Sequence, residues 1–69
     1  MVEVFKTNVS SISQAREIVD LLLNHFPAFN INFDLEDCDN ILRVEGDDIL
    51  SGRIMQLVKT RNCICEVLE

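Results

Sequence analysis

Several residue types with recognisable functions are scarce in this chain of 69 residues. It contains no tryptophan or tyrosine, and it has six lysines and arginines against twelve acidic residues, which gives a net charge of −6. Nucleic-acid binding needs a concentrated basic surface for the phosphates and, on single strands, aromatic side chains on which bases stack. The composition therefore argues against a nucleic-acid partner.

Long apolar runs and a secretory signal are also lacking. The longest apolar stretch, from Ile18 to Leu23, is interrupted by Asp20 and is far shorter than the roughly 20 residues that span a bilayer. The segment from Met1 to Phe5 has neither the basic stretch nor the apolar block of a signal sequence. We therefore expect no membrane segment and a cytoplasmic location.

The patterns that support catalysis are missing as well. Gly46 and Gly52 are isolated, so the sequence has no glycine-rich phosphate loop. The single histidine, His25, is predicted near the end of the first helix, whereas the serines at positions 10, 11 and 13 precede or begin that helix. A serine nucleophile needs a general base beside it, and none is expected here. We expect a protein that is not an enzyme.

What the sequence does contain is a regular order of elements within one domain, residues 1–69. Val2 to Thr7 is rich in strand-forming residues and alternates imperfectly, which predicts a first strand. Ser11 and Gln14 form a capping-box pattern at the start of a helix that Pro27 stops. Residues 29–36 alternate apolar and polar side chains without a fault, which predicts a second strand with one buried face.

The second half of the chain continues the pattern. A polar turn at residues 36–40 leads into a third strand at residues 41–45, so the second and third strands form a hairpin. Asp47 or Asp48 is predicted to cap a second helix that Asn62 closes, and residues 63–68 form the last strand. The helix is identified by the helical spacing of its apolar positions, which are Leu50, Ile54, Leu57 and Val58.

Two strand-helix-strand halves share one core when both crossovers are right-handed and both helices cover the same side of the sheet. The sequence therefore predicts an α+β domain in which a four-stranded antiparallel sheet carries two helices on one face. The first strand-helix loop, the hairpin turn and the connection into the last strand are expected at the same end of the sheet.

This order of elements, over nearly the whole chain, resembles the ferredoxin-like domain of the heavy-metal-associated family. Metal-transporting members carry Met-x-Cys-x-x-Cys in the first loop, where two thiolates bind a soft ion such as copper(I). The corresponding loop here places either Ser10 and Ser13 or Ser11 and Gln14 at the two cysteine positions, and none of these is a soft ligand. The resemblance implies a β-α-β-β-α-β sandwich with the first strand and the third in the centre, without the usual metal loop.

Three cysteines in a chain without a signal sequence indicate free thiols. Cys63 and Cys65 are two apart on a strand, so their side chains share a face, and keeping Glu66 in water makes that face the buried one. Packing is therefore the favoured role. Because Cys63 is expected near the first loop, the alternative is a copper or zinc site that uses Cys63 with Cys65 or with Cys38 in the acidic turn.

The side of the sheet without helices, called the open face, is expected to carry apolar residues. If the second and third strands bury Phe33, Leu42 and their neighbours, four apolar side chains remain exposed among polar ones. They are Phe5, Ile41, Ile64 and Leu68. We interpret them as the contact surface for a protein partner or a weak homodimer.

Three functional hypotheses follow from the sequence. The first is a small, non-enzymatic interaction module on a scaffold like that of the heavy-metal-associated family. The alternative is a protein that binds or transports copper or zinc through the relocated cysteines. A regulatory domain that binds a small ligand such as an amino acid is a third class, supported by analogy of fold alone.

Overall fold

The computed structural model describes residues 1–35 and 40–68, and within these ranges the predicted order of elements is confirmed. The predicted turn at residues 36–40 lies outside the described residues except for Asn40. No helix in the described ranges has the length and apolar character needed to cross a membrane. The elements are β1 (Val2–Thr7), α1 (Ile12–His25), β2 (Asn30–Asp34), β3 (Ile41–Glu45), α2 (Ser51–Lys59) and β4 (Cys65–Val67).

The four strands form one antiparallel sheet in the order β2-β3-β1-β4, so β1 and β3 are central and β2 and β4 are edges, as predicted. In the register, Phe5 pairs with Leu42 of β3 on one side and with Val67 of β4 on the other. Leu42 in turn pairs with Phe33 of β2. Since directly paired residues point to the same side of a sheet, these four apolar side chains share one face.

The helices pack on the face that carries Phe5 and Leu42. Helix α1 contributes Ala15, Ile18 and Leu22 to the core, at the spacing of a single buried stripe. Helix α2 contacts α1 and β4, while α1 contacts β2. The fold is therefore α+β, with a four-stranded antiparallel sheet and two helices. The buried core comprises Phe5, Val9, Ala15, Ile18, Leu22, Ile31, Leu42, Val44, Ile49, Ile54, Val58 and Cys63.

The predicted start of α1 is confirmed in one half of the capping box. Ser11 is the N-cap, and its hydroxyl oxygen accepts a hydrogen bond from the backbone N–H of Gln14 over 3.0 Å. The helix ends at His25, and Phe26 caps it by donating its backbone N–H to the carbonyl of Leu22, so Pro27 lies just beyond. The Gln14 side chain is engaged elsewhere, with Cys63.

The predicted start of α2 was wrong. The N-cap is Leu50, which makes no side-chain capping bond, and the helix begins at Ser51. Asp48 has a φ of 53°, a left-handed conformation that is incompatible with a helix start at that point. Ile49 is buried while Leu50 is 59% exposed, because the chain inserts Ile49 into the core before it turns into the helix. At the far end Asn62, with a φ of 60°, lies in the turn that follows the helix.

The predicted orientation of β1 was also wrong. Phe5 is fully buried in the core and does not belong to the open face. The opposite orientation would bury Lys6, whose charge would have no partner in an apolar core. In the observed orientation Lys6 is in solvent and Thr7 is buried. The Thr7 hydroxyl donates a hydrogen bond to the carbonyl of Asn40 over 2.6 Å and accepts one from the backbone N–H of Val9 over 3.2 Å, so this buried polar group is paired.

Candidate interaction surface and thiol groove

The open face is built from the residues of β1 that alternate with Phe5. Val4 pairs with Arg43, which pairs with Asn32, and this row crosses the sheet on the side away from the helices. The next row contains Lys6, paired with Ile41 on one side and with Glu66 on the other. This face is therefore mixed in character, and its apolar members cluster toward β1 and β4.

These apolar members form the patch, defined as Val2, Val4, Ile41, Ile64 and Leu68. Leu68 is 43% exposed, Ile64 is 61% exposed and Val2 is 44% exposed. Three of the four residues predicted for the open face, Ile41, Ile64 and Leu68, lie in it. In place of Phe5, the patch has Val2 and Val4, which lie on the opposite side of β1 from Phe5.

Hydrogen bonds at both ends of β4 hold the patch in position. The backbone N–H of Leu68 donates to the carbonyl of Val4 over 2.9 Å, which sets these two side chains beside each other. At the other end, Ile64 donates its N–H to the side-chain oxygen of Asn8 over 2.8 Å and accepts the Asn8 N–H at its own carbonyl over 3.3 Å. Asn8 thus extends the β1–β4 pairing beyond the strand itself and presents Ile64 to solvent.

The charges that surround the patch are of both signs. Lys6 and Arg43 lie on the open face together with Glu45, Glu66 and Asp34. The chain as a whole carries a net charge of −6. The open face therefore carries two basic and three acidic side chains among its described residues, a nearly balanced set.

The second feature is a groove between α2 and β4, called the thiol groove, with a volume of about 490 Å³. Cys63 and Cys65 line it from the strand side and Met55 from the helix side. Cys63 is 3% exposed, accepts a hydrogen bond from Gln14 Nε2 over 3.0 Å, and donates its S–H to the Arg61 carbonyl over 3.4 Å. As predicted, Cys63 and Cys65 face the core side of the sheet, and Cys63 lies near the first loop.

The thiols of the groove differ in their surroundings. Burial raises the pKa of Cys65 to about 12, with smaller contributions from the neighbouring Cys63 and from the negative charge of Glu66. Cys65 is therefore a neutral thiol at physiological pH, with little thiolate available as a nucleophile. Cys38, the third cysteine predicted as a ligand, lies outside the described residues.

Met55 is a sulfur-bearing residue of the groove that sequence reasoning missed. It lines the same groove as the cysteines because α2 packs against β4, a tertiary contact that no local pattern encodes. In residues 1–35 and 40–68, no group of three or more His, Cys, Asp and Glu side chains is arranged to hold a metal ion. A metal in this groove would therefore depend on sulfur donors.

A third feature, called the edge groove, lies between α1 and the outer side of β2, with a volume of about 430 Å³. Its lining is mainly apolar, with one residue of each charge sign at its rim, Arg16 and Asp20. The apolar residues are Ile12, Ala15 and Val19 of α1, Ile31 and Phe33 of β2, and Leu35 just after β2.

The polar residues considered for catalysis are far apart. His25 is the last residue of α1 and its ring lies beside Phe26, with the ring centroids 6.3 Å apart. Ser11 caps the other end of the same helix, which at 1.5 Å per residue places the two roughly 20 Å apart. The imidazole therefore cannot take a proton from a serine of the first loop.

Comparison of the chain with protein-family models, with curated proteins and with solved structures gave no match.

Proposed function

We propose that this chain is a small, non-enzymatic interaction module that binds a protein partner through the patch of its open face. The observation that carries the proposal is the exposure of Val2, Ile64 and Leu68 together on a sheet face opposite the helices. Apolar clusters rimmed by polar residues are typical of association surfaces. In the patch the apolar side chains alternate with charges of both signs, because the paired Lys6 and Glu66 lie between Leu68 and Ile64.

The scaffold in this proposal is ferredoxin-like and similar to that of the heavy-metal-associated family. The element order, the central position of β1 and β3, and the shared core of the two helices support it. A non-enzymatic role is proposed because His25, at the far end of α1, gives the serines of the first loop no general base. The cytoplasm is the proposed location.

The test compares charge substitutions inside and outside the patch. Leu68→Glu and Ile64→Glu place carboxylates in the patch, whereas Leu50→Glu places one at an apolar side chain of similar exposure, 59%, beside α2. Partners captured from an extract of the source cells are quantified by mass spectrometry for each variant. We expect at least one protein that binds the parent and Leu50→Glu but is lost from both patch variants. Equal recovery by all four proteins would refute the patch as the binding surface.

Soft-metal binding in the thiol groove is the second candidate function, and the position of Met55 is the specific observation that favours it. Two thiols and a thioether are the donor set that suits copper(I), while the first loop offers serine hydroxyls, which do not fit a soft ion. Cys63 and Cys65 would each release a proton on binding, and Gln14 would keep its hydrogen bond to the bound thiolate of Cys63.

This candidate is tested by titration of the reduced protein with copper(I) against a chromophoric chelator. The background carries Cys38→Ser, so that any site seen belongs to the groove. We expect one ion per chain, weaker binding in Met55→Leu, and loss of binding in Cys63→Ser. A parallel zinc titration is the control, because a thioether is a poor zinc ligand and Met55→Leu should leave it unchanged. Copper(I) binding that survives Cys63→Ser would show that the groove is not the site.

A further inference from the structure

The outer edge of β2 has no strand paired to it in the described part of the chain, because β2 is the terminal strand of the order β2-β3-β1-β4. An unpaired edge presents a row of backbone N–H and C=O groups that can pair with another strand. Proteins commonly protect such an edge with lysine or proline, and β2, with the sequence Asn-Ile-Asn-Phe-Asp, has neither. The edge groove runs alongside this open edge, so an added strand would also cover apolar side chains.

The direction of α1 relative to β2 determines which residues lie at the same level. Both β1 and β2 are antiparallel to β3, so they are parallel to each other, and α1, which connects them, runs in the opposite direction. The first turn of α1, at Ile12, is therefore at the same end as Leu35. Along the helix, the eight residues from Ile12 to Asp20 cover about 12 Å. Along the strand, the four residues from Leu35 back to Ile31 cover about 13 Å in the same direction. Arg16 and Asp20 thus lie on either side of the level of Asn32.

A two-fold axis through Asn32, perpendicular to the sheet, would pair β2 with β2 of a second copy in antiparallel fashion. On the helix side, Ile31 of one copy then lies opposite Phe33 of the other, a β-branched and aromatic pair of the kind that stabilises sheets. On the open face, Asp34 lies opposite the neutral Asn30, so like charges do not meet across the new ladder. The sequence of β2 is therefore complementary to itself in this register.

The same axis relates the two copies of α1. By the same measure Arg16 lies about 4 Å and Asp20 about 2 Å from the level of Asn32, on opposite sides of it. The rotation therefore brings Arg16 of one copy to within about 2 Å of the level of Asp20 of the other, twice per dimer. Both side chains are exposed, and neither makes an ion pair or hydrogen bond with another side chain in the described ranges. An interface between two identical copies related by a two-fold axis requires a surface that is complementary to itself, and this arrangement of charges meets that requirement.

We infer that the edge groove and the open edge of β2 bind a second copy of this chain, forming a two-fold dimer with a continuous eight-stranded sheet. The interface is separate from the patch of the open face, so the dimer leaves the proposed partner surface accessible on both copies. A strand of five residues and one shallow groove per copy form a small interface, which places the association among weak, concentration-dependent dimers.

The decisive experiment reverses the two rim charges in separate variants and then mixes them. In Arg16→Glu the new glutamate faces Asp20 of the other copy, and in Asp20→Lys the new lysine faces Arg16 of the other copy. Like charges then meet twice per dimer, so each variant is expected to dimerise roughly tenfold more weakly than the parent. An equimolar mixture restores opposite charges in both pairs, and a heterodimer of near-parental affinity is expected. Sedimentation velocity over a wide concentration range measures the affinities, and native mass spectrometry with one isotope-labelled variant identifies the heterodimer.

Asn32→Lys provides an independent test, because it sets two lysines opposite each other on the axis while remaining exposed in the monomer. Asn24→Lys, an exposed change of the same charge on α1, is its control and should dimerise like the parent. Circular dichroism verifies that every variant is folded. A parent that stays monomeric at all concentrations, a mixture that does not form heterodimers, or a dimer abolished by Leu68→Glu but not by Asn32→Lys would each overturn the inference. The last result would instead assign self-association to the patch.

Discussion

The side chain of Gln14 donates a hydrogen bond from Nε2 to the sulfur of Cys63 over 3.0 Å, which joins the first turn of α1 to the segment that enters β4. The contact diverts Gln14 from the reciprocal capping bond expected of a capping box, while Ser11 keeps its own half. It also places a polar group over a cysteine that is otherwise in the core. A hydrogen bond therefore links the first turn of α1 to a residue that lines the thiol groove.

Gln14→Ala is expected to destabilise the fold by about 0.5–1.5 kcal/mol, the net value of a typical intramolecular hydrogen bond. It should also accelerate alkylation of Cys63 in the native protein, because the side chain that covers the sulfur is removed. Peptide-level mass spectrometry after timed iodoacetamide labelling measures the rate. Gln56→Ala, an exposed change in α2, is the control for loss of a glutamine. An unchanged Cys63 labelling rate would contradict the covering role of Gln14.

Ser11→Ala should cost about 1 kcal/mol of unfolding free energy, because the backbone N–H of Gln14 loses its capping acceptor. Urea denaturation followed by circular dichroism measures the change. Ser10→Ala is the matched control, since Ser10 is exposed and precedes the cap, and it should lie within about 0.5 kcal/mol of the parent. If both serine variants lost equal stability, the serines of this loop would have another role than capping.

The two glycines should respond to alanine in opposite directions. At Gly46 a Cβ would collide with the ring of Phe29, which is stacked on Phe26 with centroids 5.0 Å apart, so Gly46→Ala should destabilise by more than about 1 kcal/mol. At Gly52, inside α2, a Cβ meets no atom within 4 Å, and Gly52→Ala should stabilise by roughly 0.5–1 kcal/mol. Thermal unfolding of the two variants measures whether each change lowers or raises stability relative to the parent. A neutral Gly46→Ala would mean that the Phe29 ring moves without cost.

Stability should fall at alkaline pH through Cys65. Because folding raises the pKa of this thiol from 9.0 to about 12, the folded state holds the proton more tightly than the unfolded state. The contribution to stability is complete below the unfolded pKa of 9.0 and is lost as the pH rises toward 12. Denaturation midpoints of the parent and of Cys65→Ala, compared across this pH range, isolate the effect. The two curves should converge as the pH rises, and parallel curves would contradict the raised pKa.

Elements with an unambiguous local signal were predictable. The strict alternation around Ile31 and Phe33 indicated β2 and its buried face, and Ser11 marked the start of α1. The candidate sites were less predictable. Ile64 and Leu68 were found from the parity of β4, while Met55 became part of the thiol groove through the packing of α2 against the strand. The edge groove depends in the same way on how closely α1 approaches β2.

By itself, the sequence determined the order of the six elements, the limits of α1 and the parity of β2 and β4, because each depends on periodicity, caps and breakers within a few residues. Tertiary structure decided the orientation of β1, where apolar residues occur on both faces and the helices can cover one. Burial of Phe5 in place of Lys6 avoids an unpaired charge in the core, and it leaves Val2 and Val4 in the patch. Tertiary structure also decided the start of α2, because the chain buries Ile49 in the core and the helix begins only at Ser51.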